Sequence, residues 1–417
     1  MNASFWRGSL VWGLSLALFT VPAAAQDTPV LSLDDALERS GVVETGSDNP
    51  VNPRLIGPVE DAAAARALID QARLRPNPEL SFEAENFAGT GAFSGLSATD
   101  YTLSVGQRLE LGGKRGARVR SAEAEALVAS LEGELATARL GREVRARYVE
   151  AVAAASRLEL ARDIVERNRE LARIAGLLVE VGREPPLRAL RAEAAVAEAE
   201  AELQAAEAAS LASRTALAAL WSDTASAPLV PADFPAIVPP ANLLVSEGSL
   251  RLQVARAERE AADAAIDRER SLAVPDPIIS AGVRRFEQSN EQAFLVGVSI
   301  PLPFANRNQG NIAAAQARLR AANAREAVAL ADYRLEIEQA RSRYLAAETR
   351  VETLAQTSLP QAEEALRLVN VGYRNGRFPL IEVLAAAEAR DTIREALIQA
   401  REDRGRLAAE LIWLAAQ

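Results

Sequence analysis

The segment from Tyr101 to Arg118, YTLSVGQRLELGGKRGAR, decides the fold of this chain. In its first half, Tyr101, Leu103 and Val105 would point to one side, and the small or polar residues between them to the other. An alternation of period two predicts a β-strand. The segment then runs directly into a long stretch rich in Ala, Leu, Glu and Arg, which predicts a helix that begins with almost no loop.

The same strand-to-helix joint occurs a second time in the chain. Residues 294–310, FLVGVSIPLPFANRNQG, repeat the pattern, and Leu302 follows its counterpart Leu109 by 193 positions. Farther along, two predicted turns at Gly182 and Gly376 are 194 positions apart. A nearly constant offset predicts an internal duplication of one structural unit. The joints are predicted at Gly112, Gly113 and Lys114 and at Asn306, Asn308 and Gly310.

The first 25 residues have the layout of a cleavable secretory signal. Arg7 precedes an apolar run from Leu10 to Val21, and small residues at Ala23–Ala25 precede Gln26. An uncleaved membrane anchor is the alternative, but the run is shorter than the ~20 residues that a spanning helix needs. No comparable run follows, so the mature chain is predicted to have no transmembrane helix.

The composition excludes several kinds of site. The chain contains no cysteine and no histidine, and its one methionine is Met1. These absences exclude disulfides, thiolate metal centres and a lipid-anchored amino-terminal cysteine, so no metal site, cofactor or lipidation is predicted. The formal net charge of −10 argues against nucleic acid as a partner.

Proline, glycine and hydrophobic periodicity divide the chain into segments. The predicted order is a signal at 1–25, an amino-terminal segment at 26–58, a first repeat at 59–222, a proline-rich linker at 223–247 and a second repeat at 248–417. Each repeat has a helix, a β-hairpin and a long helical hairpin. The hairpins are predicted at 77–110 and 114–222 in the first repeat, and at 276–303 and 308–416 in the second. The first helix is predicted at Val59–Arg73, and Pro360 is predicted to kink the second long helix.

Four amphipathic strands of about ten residues have the length of strands that cross a bilayer at a tilt. Four strands cannot close a barrel, and open edges are not tolerated in lipid, so strands from several copies must combine. The long helices, with alanine-rich faces on both sides, would pack into a hollow tube that reaches into the periplasm. Charged side chains on one strand face have either a role in lining the pore or only the role of keeping the lumen face hydrated. They are Glu83, Glu85, Arg108 and Arg284.

With these features the chain resembles the TolC-like outer-membrane efflux channels and, within them, the heavy-metal, CzcC-like branch. The resemblance lies in NPELSFEAENF at 77–87, LELGGKRGAR at 109–118, SIPLPFANRNQG at 299–310 and GYRNGRFPLIEVL at 372–384. It implies a mainly α fold with a membrane β part, in which a homotrimer builds a twelve-stranded outer-membrane barrel on a tunnel of twelve helices. It also implies a passive export conduit for divalent metal cations, docked to a periplasmic adaptor and an inner-membrane resistance-nodulation-division pump.

The resemblance assigns adaptor docking and tunnel closure to the tips of the two helical hairpins. One tip comprises Val181, Gly182, Arg183 and Pro185, and the other comprises Tyr373, Gly376, Arg377, Phe378, Pro379 and Glu382. Tyr373 matches a gate tyrosine and Glu382 the first of two gate acids. Ala385 stands in place of the second acid, and Phe378 in place of an arginine found in some members, which favours an apolar or arginine-based closure. A plain helix cap is the simpler interpretation of Gly182.

Three other functional classes compete with an export channel for metals. An enzyme without histidine or cysteine would need paired carboxylates or a serine–lysine arrangement, and the carboxylates here are scattered along helix faces. A periplasmic adaptor has one long helical hairpin instead of two. A TolC-like channel for drug export or protein secretion shares the whole fold, and only partner genes or a metal-sensitivity test would separate it.

The glycines of the first joint do not form a phosphate-binding loop. The residue five positions before Gly113 is Arg108, and Lys114 is followed by Arg115 where a phosphate loop has serine or threonine. The predicted role is a tight turn from strand to helix, with Lys114 and Arg115 near the lipid headgroups or the barrel mouth.

Overall fold

The computed structural model describes residues 30–43, 52–223, 227–240 and 248–416. The predicted signal at 1–25 lies outside the described residues, as do parts of the segments 26–58 and 223–247. The helices are α1 Leu33–Arg39, α2 Pro53–Arg73, α3 Lys114–Glu180, α4 Pro186–Ala218, α5 Leu250–Leu272, α6 Gln309–Thr353, α7 Leu359–Arg374 and α8 Leu380–Leu414. The strands are β1 Glu79–Glu85, β2 Asp100–Arg108, β3 Ile278–Phe286 and β4 Glu291–Ser299.

Helix α2 begins at Pro53, six residues before the predicted start at Val59, so the predicted start was wrong. Asn52 caps the helix, and its Nδ2 donates a hydrogen bond to the carbonyl of Leu220 at 2.8 Å. Pro53 occupies the first helical position, where a missing N–H is tolerated. The cap partner lies 168 residues away, so local sequence does not reveal this helix start.

The strands form one antiparallel sheet in the order β1-β2-β3-β4. The pairing of β2 with β3 joins the two repeats in one sheet. Strand β4 ends at Ser299, whereas the predicted strand ran to Pro303. Pro301 and Pro303 cannot donate a hydrogen bond to a neighbouring strand, which explains why the ladder stops before them.

Two very long helical rods leave the sheet. Helix α3 continues unbroken for 67 residues, a length of about 100 Å. Both rods start after a residue in the left-handed conformation, Gly113 with φ 72° and Asn308 with φ 59°. The second rod is interrupted between α6 and α7 by a π-helical turn at Leu354–Ser358. The irregular turn ends two residues before Pro360, where a kink is predicted.

Helix α3 is the centre of the helical part. It contacts α2 and α5 along its half near the sheet, and α4 and α8 along its half near the tip. Helix α6 contacts α5 and α8, and α7 contacts α8. Helices α2 and α4 therefore border one side of the copy, and α6 and α7 border the other.

The largest buried cluster surrounds Tyr148, near the middle of α3. The Tyr148 hydroxyl donates a hydrogen bond to the carbonyl of Leu31 at 2.9 Å. Burial, aided by the nearby charges of Asp35 and Asp34, raises the pKa of Tyr148 to about 12. Residues 227–240, which we call the strap, cross the bundle here. Their Phe234 packs against both α3 and α8, so the strap braces the two repeats at this level.

Helix α8 packs tightly against α3 at Gly405. A Cβ atom added at this glycine would lie 2.8 Å from the side chain of Val149, which is fully buried. Gly405 does not have a positive φ, so its backbone conformation does not require glycine. The glycine is needed because the two helices leave no space for a side chain.

We expect Gly405→Ala to destabilise the protein by about 1–2 kcal/mol, because Val149 has no room to move and the gain in helix propensity is smaller. The matched control is Gly176→Ala in α3, where an added Cβ meets nothing within 4 Å. That change should stabilise the protein by about 0.5–1 kcal/mol. Thermal unfolding of detergent-purified protein, followed by circular dichroism, measures both. Equal shifts in the two variants would contradict the close contact.

Candidate functional site

The strand register gives the sheet a polar face. Glu83, Thr102 and Arg284 are direct neighbours across β1, β2 and β3. The Arg284 guanidinium donates to Thr102 Oγ1 at 2.9 Å and pairs with Glu85 at 2.9 Å. Arg108 lies on the same face, nearer the helices, 4.0 Å from Glu79. The four side chains that the sequence analysis assigns to a lumen therefore share one face of the sheet.

The opposite face of the sheet is apolar and uncovered. Phe294 is 90 % exposed, Val296 78 % and Leu80 72 %. Contiguous exposed apolar surface of this kind marks a contact with lipid or protein. Strands β1 and β4 are also edge strands within the described sheet. Their outer backbone groups, like the apolar face, need a partner outside this copy.

The first strand-to-helix joint contains a buried ion pair. Lys114 Nζ lies 2.6 Å from Asp276 Oδ1, and the same oxygen accepts a hydrogen bond from the amide of Leu111 at 3.0 Å. Burial alone would raise the pKa of Asp276, but Lys114 and the Leu111 amide outweigh it and lower that pKa. Lys114 is therefore buried within the joint, whereas Arg115 is exposed. Their location near the headgroups or the barrel mouth stays a prediction.

The second joint is held by an amide instead of a charge. Asn308 Nδ2 donates to the backbone carbonyl of Glu269 at 2.7 Å and to its carboxylate at 2.9 Å. Asn306 Oδ1 accepts from the amide of Asn308 at 3.0 Å, and Gly310 lies in the first turn of α6. Both joints thus contact the end of α5 and the connection to β3. Gly112 is part of this packing, since an added Cβ would lie 2.7 Å from Val274.

We expect Lys114→Met to destabilise the protein by about 3 kcal/mol at neutral pH, because it leaves the Asp276 charge buried without its cation. The folded-state pKa of Asp276 is depressed below its ordinary value of 3.8. The stabilisation is therefore complete above that value and is lost as the pH falls through the folded pKa.

Thermal unfolding at neutral and strongly acidic pH tests this expectation. The control is Arg115→Met, which changes an exposed neighbour in the same turn. A Lys114→Met effect that stays constant down to strongly acidic pH would contradict a charge-based role for the pair.

The two hairpin tips share one backbone motif. After α3, the amide of Gly182 donates to Val179 and that of Arg183 to Leu178. After α7, the amide of Gly376 donates to Tyr373 and that of Arg377 to Gly372. Both glycines are left-handed, with φ of 68° and 66°. This hydrogen-bond pattern is the Schellman motif. The backbone of Gly182 therefore forms an ordinary helix cap.

The side chains of the two tips differ. In the first tip Glu184 pairs with Arg188 at 3.3 Å. At the corresponding place in the second tip, the ring of Phe378 lies directly on Gly372, where an added Cβ would be 2.1 Å from the ring. The contact of Phe378 with Gly372 was not predicted from the sequence. The only local sequence signal for this contact is a helical glycine six residues before an aromatic residue.

The structure places the predicted tip residues in two compact groups. Val181, Gly182 and Arg183 form the first turn, and Pro185 directly precedes α4. Gly376, Arg377 and Phe378 form the second turn between Tyr373 at the end of α7 and Pro379, which precedes α8. Glu382 is exposed in the first turn of α8, where a carboxylate interacts favourably with the helix dipole. Exposed apolar side chains surround the turns: Val181, Leu187, Phe378 and Ile381.

The described residues offer no cluster of three or more Asp, Glu, His or Cys side chains suited to a metal ion. None of the helices in the described ranges is long and apolar enough to cross a membrane.

Comparison with protein families matches residues 60–222 and 244–416 to the family model described as outer membrane efflux protein. The nickel-cobalt-cadmium resistance protein NccC of Alcaligenes xylosoxydans xylosoxydans is 34% identical over 278 residues, which are 66% of this chain and 63% of NccC. The cobalt-zinc-cadmium resistance protein CzcC of Cupriavidus metallidurans is 31% identical over 350 residues, 78% of this chain and 79% of CzcC.

Among solved structures, the outer membrane protein VceC of Vibrio cholerae superimposes with a TM-score of 0.75. The two chains are 21% identical, and the match covers 92% of this chain and 96% of VceC. At this level of identity the likeness shows a shared fold.

Proposed function

We propose that this chain, which belongs to the outer membrane efflux protein family, is the outer-membrane channel of a tripartite efflux system. The observation that carries the proposal is the sheet, which combines an uncovered apolar face, a polar face and two open edges. Lipid would cover the apolar face, and strands of other copies would pair with the edges. The family match confirms the resemblance seen in the sequence motifs.

Three copies would close the barrel, with twelve strands in total. Because all neighbouring strands are antiparallel, β4 of one copy runs opposite to β1 of the next, as a closed antiparallel ring requires. The helices would close in the same order, with α2 and α4 of one copy against α6 and α7 of the next. Apolar side chains left exposed on these bordering helices support that contact: Leu68, Leu211, Val328 and Leu335.

The polar face of the sheet would line the lumen. Glu83, Glu85, Arg108 and Arg284 would be in water there, while the apolar face meets the membrane. Between the charged rows the face carries small residues such as Ser81 and Ser104, whose hydroxyls lie 2.7 Å apart. Small, uncharged side chains leave the passage wide, which suits a passive conduit whose selectivity lies upstream.

The tips would dock a periplasmic adaptor, which links the channel to an inner-membrane resistance-nodulation-division pump. Their exposed apolar side chains and their position at the far ends of the rods support this role. Tyr373, Phe378 and Glu382 would contribute to closing the tunnel. With Phe378 seated on Gly372, the closure would be more apolar than charged.

Divalent heavy-metal cations are the proposed cargo. The support comes from NccC and CzcC, whose names describe resistance to metals that include cobalt and cadmium. A conduit needs no tight site for its cargo, and this chain has no histidine or cysteine with which to build one.

Deleting the gene from its host and restoring it on a plasmid tests the function. We expect the deletion to lower the cobalt and cadmium concentrations that stop growth, and the restored chain to recover them. Loss of drug tolerance or protein secretion with unchanged metal tolerance would show a different cargo. Purified protein that gives no conductance in a planar lipid bilayer would contradict a channel of any kind.

We expect Gly376→Trp to abolish metal resistance while leaving the assembly in detergent intact, because a bulky side chain at the tip obstructs adaptor docking. Gly95→Trp is the matched control. Both glycines have a positive φ, with nothing within 4 Å of an added Cβ, but Gly95 lies in the β1–β2 loop at the opposite end. Growth on cobalt and size-exclusion profiles measure the two effects. Normal resistance in Gly376→Trp would exclude the docking role.

A further inference from the structure

An open cavity of about 430 Å³ lies at the first joint, between the start of α3 and the end of α5. We call it the joint cavity. Its floor is formed by the small residues Gly113, Gly116 and Ala117 of α3, and the arginines Arg120 and Arg270 border it. Helices α3 and α5 lie between the bordering helices of the copy, so neighbouring copies would leave this cavity open.

The floor of the joint cavity carries no long side chain. An added Cβ at Gly113 would meet nothing within 4 Å, and at Gly116 the nearest atom would be Arg120 Nη1 at 3.5 Å. Gly113 has a φ of 72° that favours glycine, but Gly116 lies inside the helix, where glycine costs about 1 kcal/mol relative to alanine. Neither packing nor backbone conformation requires glycine at position 116. Its missing side chain leaves room for a ligand beside Arg120.

The two arginines of the joint cavity share one carboxylate. Arg120 Nη2 lies 3.8 Å from Asp267 Oδ2, and Arg270 Nη1 lies 3.6 Å from Asp267 Oδ1. Both distances exceed a hydrogen bond, and all three side chains are more than half exposed. Within the described residues neither guanidinium donates a hydrogen bond. One carboxylate cannot neutralise two guanidinium groups, so the cavity keeps a positive charge and unused donors.

The other carboxylates near the joint already have cations. They are Glu110 with Arg118 at 2.6 Å, Asp276 with Lys114 at 2.6 Å, and Glu269 with Arg268 at 3.3 Å. Arg115, next to the floor, is exposed and has no ion pair in the described ranges. The whole chain has a formal net charge of −10, yet this end of α3 is locally positive. The local charge therefore favours an anion here.

Exposed apolar side chains adjoin the joint cavity. Leu111 directly precedes Gly112 in the cavity wall, and Leu272 and Val274 flank the cavity at the end of α5. Leu109 and Leu111 continue the alternation of the apolar sheet face beyond the end of β2. The cavity thus lies where the apolar face ends, with a charged interior and an apolar border.

The length of the strand places the joint cavity in the membrane. A tilted strand needs about 9–11 residues to cross the hydrocarbon layer. The alternation that begins at Tyr101 ends at Leu111, which is a span of this length, and the cavity begins at the next residue. In the proposed channel the arginines would therefore lie at the level of the headgroups of the periplasmic leaflet.

We propose that the joint cavity binds the headgroup of a phospholipid of the periplasmic leaflet. Arg120 and Arg270 would donate to the phosphate oxygens, for which the planar guanidinium group is well shaped. The acyl chains would lie along Leu111 and Leu272. Inorganic phosphate could satisfy the arginines but would leave the apolar border uncovered. The inference rests on the proposed channel function, and the bound lipid would fix the depth of the joint in the membrane.

Native mass spectrometry of the full chain in a sugar-based detergent, with added phosphatidylglycerol, tests the site. We expect saturable binding to the wild type, and Arg120→Gln with Arg270→Gln to weaken it about tenfold, because charge-assisted hydrogen bonds are lost. Arg169→Gln with Arg173→Gln is the matched control, since these exposed arginines form ion pairs within the first helical hairpin. The control should bind like the wild type. Equal binding by the two double variants would overturn the proposal.

Two further ligands separate a lipid site from its parts. We expect neither inorganic phosphate nor a diacylglycerol, each at the concentration of the lipid, to displace phosphatidylglycerol from the wild type. Displacement by inorganic phosphate would show a plain anion site. Displacement by diacylglycerol would show that only the apolar border binds. Either result would overturn the assignment to a phospholipid headgroup.

Gly116→Leu covers the case in which the arginine variant does not assemble. Leucine favours the helix, changes no charge and fills the floor, so we expect assembly with a similar loss of phosphatidylglycerol binding. An assembled Gly116→Leu protein that binds the lipid like the wild type would also overturn the proposal.

Conductance in planar lipid bilayers, measured on the same preparations, keeps this inference apart from the channel function. A wild-type chain that conducts but retains no phosphatidylglycerol would overturn the lipid site and leave the channel. A wild-type chain that conducts nothing would instead contradict the channel function itself.

Discussion

A backbone that lies in lipid must satisfy its hydrogen bonds within the protein, and the four-stranded sheet of this chain cannot do so alone. Its outer strands β1 and β4 have open edges, and its apolar face is uncovered. Pairing between copies would satisfy the two edges, since the order of the strands makes them complementary, and lipid would cover the apolar face. The duplicated chain contributes two hairpins, and their pairing through β2 and β3 makes each copy a continuous arc.

The arc must then be held at a fixed angle to the rods. Almost no loop separates β2 from α3, so the turn itself sets this angle. Left-handed Gly113 and the Lys114–Asp276 pair hold the first joint, and Asn308 with Glu269 holds the second. The first joint contacts the α5–β3 connection and the second contacts the last turn of α5, which couples the two repeats where sheet and helices meet.

Far from the sheet, the two repeats keep one backbone and differ in side chains. Gly182 and Gly376 end their helices with the same hydrogen bonds. The first tip adds a charged pair, and the second adds Phe378 on Gly372. Only the second rod contains a π turn.

The sequence by itself determined the features that depend on near neighbours. Period-two alternation located the four strands, the helical period located both rods, and glycine and proline marked the joints and tips, because these signals act within a few residues. The tertiary structure alone decided the rest: the start of α2, the burial of Lys114 and the ion pair of Asp391 with Arg167. Each depends on a partner more than 100 positions away, Leu220, Asp276 and Arg167 in turn. Local patterns say nothing about which distant side chain arrives, since only the packing of the helices brings it there.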